Sequence, residues 1–149
     1  MHTLLSALDR LDLRDRLARL TPDAPARWGK MDAPRMVCHL IDAFRVPLGE
    51  LETKPKGGPL RWKWVRSIFI FTLPWPKGKV PTMPEYLSTQ PGDWPADLKR
   101  LHDLIERFAQ QAPTLEEFAP HPAFGPLDND EWARLAFLHT DHHLRQFGV

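Results

Sequence analysis

Three of the seven histidines fall within five positions near the end of the chain, in His139-Thr140-Asp141-His142-His143-Leu144-Arg145-Gln146-Phe147-Gly148-Val149. On a helix turning ~100° per residue, His139 and His143 share one stripe with Trp132, Leu135 and Ala136 before them and Gln146 after. Two imidazoles one turn apart on an inward face offer two nitrogens to a single divalent metal. Asp141, Arg134 and Arg145 fall on the opposite, solvated side, and His142 lies at the boundary. A third ligand has to come from another helix. His39 stands at the edge of an apolar arc beside Met36 and Ala43 and is the candidate; His102 flanks a different apolar stripe and is the reserve. His2, in the terminus, and His121, in a proline-rich loop, are set aside. Three neutral imidazoles leave coordination positions open, which is the pattern of a catalytic rather than a structural site. A divalent ion there lowers the pKa of a bound water or a substrate thiol. Zinc, nickel and iron all suit such a ligand set.

The neighbours of these residues carry less. Gln146, one turn beyond His143, can hydrogen-bond a ligand imidazole. His142 reads as a surface histidine or as a proton carrier at the pocket mouth. Asp42 and Asp141 project away from the metal-facing stripe, so no carboxylate base is evident there. Cys38 adjoins His39, but adjacent helical residues point ~100° apart, and the lone thiol reads as a packing group.

Four helices must position the histidines. In the first stretch Leu4, Leu8 and Leu11 lie on one face and Leu13, Leu17 and Leu20 on nearly the opposite one, which predicts a break near Leu11 to Leu13. The second helix is capped by Asp32, carries Pro34 in its first turn and is expected to run to about Leu51, with Met36, Leu40, Ile41, Phe44, Leu48 and Leu51 inward. The third spans about Pro95 to Ala112 and stops at Pro113. The fourth opens on Asp128 with Glu131 three residues later, a variant of the capping box, and reaches Gln146. From Thr53 to Trp94 seven prolines and four glycines interrupt regular structure, and one short helix is expected at about Leu60 to Phe71. Trp62, Trp64, Phe69, Phe71, Trp75 and Tyr86 give this connection apolar surface with which to pack. The expected architecture is all-α, a four-helix bundle in residues 1–149 as a single domain, with a long Pro-rich crossover between helices 2 and 3.

A chain of 149 residues, 42% hydrophobic, with 20 basic against 19 acidic side chains, has the balance of a globular protein and no charge excess that advertises nucleic acid. One cysteine excludes an intrachain disulfide, no signal peptide or membrane span is visible, and the cytoplasm is the expected compartment. The competing function class rests on the segment 54–84. It holds Lys54, Lys56, Arg61, Lys63, Arg66, Lys77 and Lys79, interleaved with Trp62, Trp64 and Trp75, and no acidic residue. Such a lobe suits a non-catalytic binding or interaction protein that receives an anionic ligand, an acidic partner or a membrane surface. Its apolar run, Ile68 to Leu73, needs cover, and a homodimer is expected to supply it.

Several motifs together resemble the DinB-like superfamily, and within it a group of uncharacterised bacterial proteins. They are Trp28-Gly29-Lys30-Met31 and Met36-Val37-Cys38-His39-Leu40, then Pro74-Trp75-Pro76-Lys77-Gly78 with Pro81-Thr82, and finally His121-Pro122-Ala123-Phe124-Gly125 leading into Trp132 and His142-His143-Leu144-Arg145-Gln146-Phe147. The resemblance implies a four-helix bundle with a long crossover between the second and third helices. It also implies a three-histidine metal site with one ligand on the second helix and two on the fourth, which map onto His39, His139 and His143. Some relatives in that superfamily are thiol-dependent transferases or hydrolases, so a metal-dependent reaction on a small-molecule substrate is the activity implied. Where the superfamily often has His-Arg-Gly-Gln, this chain has His143-Leu144-Arg145-Gln146, which keeps the ligand and changes what surrounds it.

Overall fold

The computed structural model describes residues 1–78, 82–114 and 118–149. Lys79 of the basic segment and Pro81 of the proline set lie outside the described residues. Five α-helices are present and no strand is formed among the described residues: α1 Ala7–Arg19, α2 Ala33–Arg45, α3 Lys63–Phe69, α4 Trp94–Gln111 and α5 Asn129–Gln146. Two short 3-10 turns, Pro59–Arg61 and Pro84–Leu87, lie between α2 and α4.

Side-chain caps fix where the long helices begin. The Asp32 carboxylate accepts from the Arg35 N–H at 2.8 Å, and Asp93 accepts from the Ala96 N–H at 3.1 Å. At α5 the capping box is complete: Asp128 accepts from the Glu131 N–H at 2.8 Å, and Glu131 accepts from the Asp128 N–H at 3.2 Å. No helix is long and apolar enough to cross a membrane among the described residues.

Two expected boundaries are corrected. The break near Leu11 to Leu13 does not occur, because the two leucine sets need not both be buried by one helix. Leu4 lies ahead of α1 and reaches the core there, its N–H donating to the Ala133 carbonyl at 3.2 Å. Leu8 and Leu11 face solvent, and the continuous helix buries Leu13 and Leu17. The second helix stops at Arg45 rather than near Leu51, since Pro47 has no N–H to continue the ladder. A turn follows through Gly49 at φ +73°, and Leu48 and Leu51 still pack on the core from beyond the helix.

In the core α2 packs on α4 and α5, while α1 packs on α4 and α5. Phe108 of α4 is central. It meets Phe44 of α2 edge-on at 5.9 Å and stacks on Phe118 at 4.7 Å between ring centroids. Asp42, which points away from the histidines, is nevertheless fully buried: it accepts from Thr89 Oγ1 at 2.6 Å, from the Thr89 N–H at 2.8 Å and from Arg45 at 3.0 Å. It pins the segment after the second 3-10 turn onto α2.

The expected short helix is interrupted by Trp62, which is extended between the first 3-10 turn and α3. Its aromatic residues divide. Tyr86 is buried and Trp75 half-buried, whereas Trp62, Trp64 and Phe69 are 60%, 64% and 54% exposed. Arg66 is also not the free cation expected. Its guanidinium is buried and donates to both Glu131 oxygens, at 3.2 and 2.9 Å, tying α3 to the first turn of α5.

Candidate metal centre

The stripe inferred for the last helix is the one that faces inward. Trp132, Leu135, Ala136, His139, His143 and Gln146 of α5 all line a single cavity of about 560 Å³, which His39 enters from α2. His39, His139 and His143 come together there, with one nitrogen of each within 4.8 Å of the others. Their ring centroids are 4.8 to 4.9 Å apart in every pair. His39 and His143 are buried; His139 is half-buried and opens on the cavity. His102 stays on α4, outside the cluster.

Hydrogen bonds decide which nitrogens are free. The Nδ1–H of His39 donates to the Tyr86 carbonyl at 3.1 Å, and the Nδ1–H of His143 donates to Gln146 Oε1 at 2.7 Å. Each bond leaves the Nε2 lone pair bare and fixes the plane of its ring. The Gln146 amide is itself oriented, because its Nε2 donates to the Trp28 carbonyl at 2.6 Å. That approach needs Gly29. It sits at φ +83°, and a Cβ there would stand 2.6 Å from Gln146 Nε2. The Trp28-Gly29 motif thus has a mechanical role in holding the His143 imidazole.

His39 Nε2 and His139 Nε2 are 3.0 Å apart. Since the His39 Nε2 is bare, the His139 Nε2–H donates to it. In a tetrahedral site with metal–nitrogen bonds of about 2.0–2.1 Å, two ligand nitrogens stand about 3.3 Å apart. The donor set therefore fits a divalent ion in number and type, and the His39–His139 separation is close to that spacing. Charge favours it too. Burial holds His39 at about 4 and His143 at about 3, and His139 well below its usual value, with the neighbouring imidazoles adding to the depression. All three are neutral at pH 7, the form that ligates.

His121 is a correction. Set aside as a loop residue, it is buried and lines the same cavity. Residues 121–125 form a tight turn in which His121 and Gly125 exchange both backbone hydrogen bonds, at 2.9 and 2.8 Å, with Gly125 at φ +74°. The ring stacks on Phe124 at 4.1 Å. His121 Nδ1 accepts from the N–H groups of Ala123 and Phe124, at 3.1 and 3.2 Å, and burial lowers its pKa to about 3. The pairing of His121 with Gly125 four residues later, around Pro122, was the available signal for an ordered turn.

The remaining neighbours are settled by contact. His142 lines the cavity, half-buried between Trp28 and Trp75 at 5.7 Å from each ring, and burial lowers its pKa. Cys38 is buried with its thiol pushed up to about 11, first by burial and then by Asp97, so it is a packing group. No Asp or Glu lines the cavity among the described residues, in line with the missing carboxylate base.

A family model described as a protein of unknown function (DUF1569) matches residues 77–148. The match includes Tyr86, His121, His139, His143 and Gln146, while α2 with His39 lies outside it. No curated protein and no solved structure gives a significant match to the chain.

Proposed function

We propose that the chain is a divalent-metal-dependent enzyme, of the thiol-transferase or hydrolase type, with His39, His139 and His143 as the metal ligands. The observation that carries this reading is the convergence of three neutral imidazoles on a cavity, two of them oriented by hydrogen bonds at Nδ1 that leave Nε2 bare. A divalent ion held there supplies Lewis acidity and activates a water or thiol at neutral pH. The chain's own residues do the rest. Tyr86 and Gln146 orient the ligands, and the apolar walls limit water at the site. His142, half-buried on the lining, is placed to carry a proton between cavity and solvent. The same reading takes α1, α2, α4 and α5 as a DinB-like four-helix bundle in which the segment from α2 to α4 is the crossover that roofs the site.

Elemental mass spectrometry of untagged protein tests it, wild type beside His39→Ala, His139→Ala and His143→Ala. About one divalent ion per chain, lost in each variant while the helical circular dichroism is kept, is expected. No ion in the wild type after reconstitution with zinc, nickel or iron(II) overturns the reading.

The outer face of α3 favours a second reading, an interaction protein that pairs with another copy of itself. Trp62 and Trp64 stack at 6.3 Å and, with Ile68, Phe69 and Leu73, form an exposed apolar patch. Sedimentation of wild type against Trp64→Glu tests the pairing. A dimer lost on substitution supports pairing, and an unchanged monomer removes it.

A further inference from the structure

We infer that the cavity takes an apolar molecule bearing one carboxylate, and that this carboxylate is held at the 121–125 turn by the Nε2–H of His121 and the ammonium of Lys56. The inference deepens the proposed function, resting on it only for the ligand's being a substrate. Binding itself requires no metal.

The walls set the body of the ligand. Trp28, Phe44, Trp75, Phe124, Trp132 and Leu135 line a space of about 560 Å³, within the range of sites that enclose small organic molecules, ~300–1,000 Å³. Charge sets the head. The lining holds Lys30 and Lys56 and no carboxylate among the described residues, and neither lysine forms an ion pair there. An anion entering meets attraction from the two lysines and no carboxylate to repel it, whereas an organic ammonium meets two like charges.

His121 gives the head its place. The N–H groups of Ala123 and Phe124 both donate to its Nδ1, which forces the proton onto Nε2. The edge of the ring left for the cavity is therefore a donor only, held by the Phe124 stack and by the backbone pairing with Gly125. Lys56 is fastened beside it, its backbone N–H donating to the Pro122 carbonyl at 2.7 Å. Arg61 adds a second positive group at the same turn, with guanidinium atoms 3.2 Å from where a Cβ on Gly125 would stand. A donor N–H beside an ammonium matches the two oxygens of a carboxylate.

The test measures 4-phenylbutyrate, 4-phenylbutyramide and 4-phenylbutylamine by isothermal titration, on metal-stripped and zinc-loaded protein. Hydrogen bonds to a charged group predict that the acid binds about tenfold or more tighter than the amide on both forms, with the amine weaker still. Lys56→Gln and His121→Phe each reduce that preference. Lys56 is exposed, so its variant serves if His121→Phe does not fold. Equal binding of acid and amide, no saturable binding of any of the three, or a preference unmoved by Lys56→Gln overturns the inference. Zinc loading is scored separately: a metal-binding protein with no acid preference leaves the proposed function standing, and acid preference without metal binding does the reverse.

Discussion

Replacing Gln146 by leucine tests whether the hydrogen bond behind His143 belongs to the metal site or merely to packing. The substitution removes the acceptor that holds the His143 Nδ1–H at 2.7 Å and also the donor that satisfies the Trp28 carbonyl at 2.6 Å. Loss of an outer partner of a ligand histidine typically weakens metal binding by about 10- to 100-fold, equivalent to about 1.4–2.7 kcal/mol. The stability effect is separate. Two buried polar groups lose their partners, at a cost of about 1–3 kcal/mol each, partly offset by the apolar side chain. Zinc affinity is read by competition with a chromophoric chelator, and stability by urea unfolding of metal-stripped protein. Gln146→Glu is the control that separates them: it still accepts from His143 but sets a carboxylate oxygen against the Trp28 carbonyl. Glutamate is expected to retain zinc affinity and lose stability, whereas leucine loses both. If Gln146→Leu binds zinc within about twofold of wild type while losing stability, the argument that this bond orients a ligand is wrong.

Metal-stripped protein should lose stability as pH falls from 7 to 5. The folded pKa of His39 is about 4 and those of His121 and His143 about 3, so the unfolded chain takes up protons below about 6.5 that the native state refuses. The stabilisation is complete above 6.5 and declines toward the folded values by about 1.4 kcal/mol per pH unit and histidine, on the order of 5 kcal/mol in all by pH 5. A urea midpoint that does not move over this range would contradict the burial assigned to these rings. Gly29→Ala forces a left-handed alanine, costing about 1–2 kcal/mol, and drives a Cβ at Gln146 Nε2. Its melting temperature should fall by about 2–8 °C and its zinc affinity with it; unchanged zinc affinity would detach Gly29 from the site. Arg66→Met leaves Glu131 without its guanidinium and should cost about 2 kcal/mol, less than for a fully buried pair because Glu131 keeps some solvent. An unchanged urea midpoint would make this an ordinary surface pair.

The centre was readable from the chain because its parts obey helical phase. His139, His143 and Gln146 recur at intervals of four and three residues, so one rotation angle puts them with Trp132, Leu135 and Ala136 on a single wall, and the structure keeps them there. His39 was harder, since phase says only that it borders the core of α2. Which helix it meets depends on packing, and only the resemblance and then the fold brought it within 3.0 Å of His139. Periodicity failed where one long-range contact outweighs it. The leucines of α1 were read as two faces that both needed burial, yet Leu4 is buried through a segment that is not helical. His121 was invisible for the same reason. Its role follows from a five-residue turn and a stack on Phe124, neither of which has a period. Arg66 shows the converse error. Counting it with six other cations made a basic lobe, but one of the seven is held in an ion pair with Glu131, sixty-five residues away. The cations that stay uncommitted beside the cavity, Lys30 and Lys56, are a smaller set than composition offered and a more directional one. They place positive charge on the lining of the same space into which α2 and α5 turn their imidazoles. That juxtaposition, rather than the charge of the segment as a whole, is what the proposed carboxylate ligand rests on.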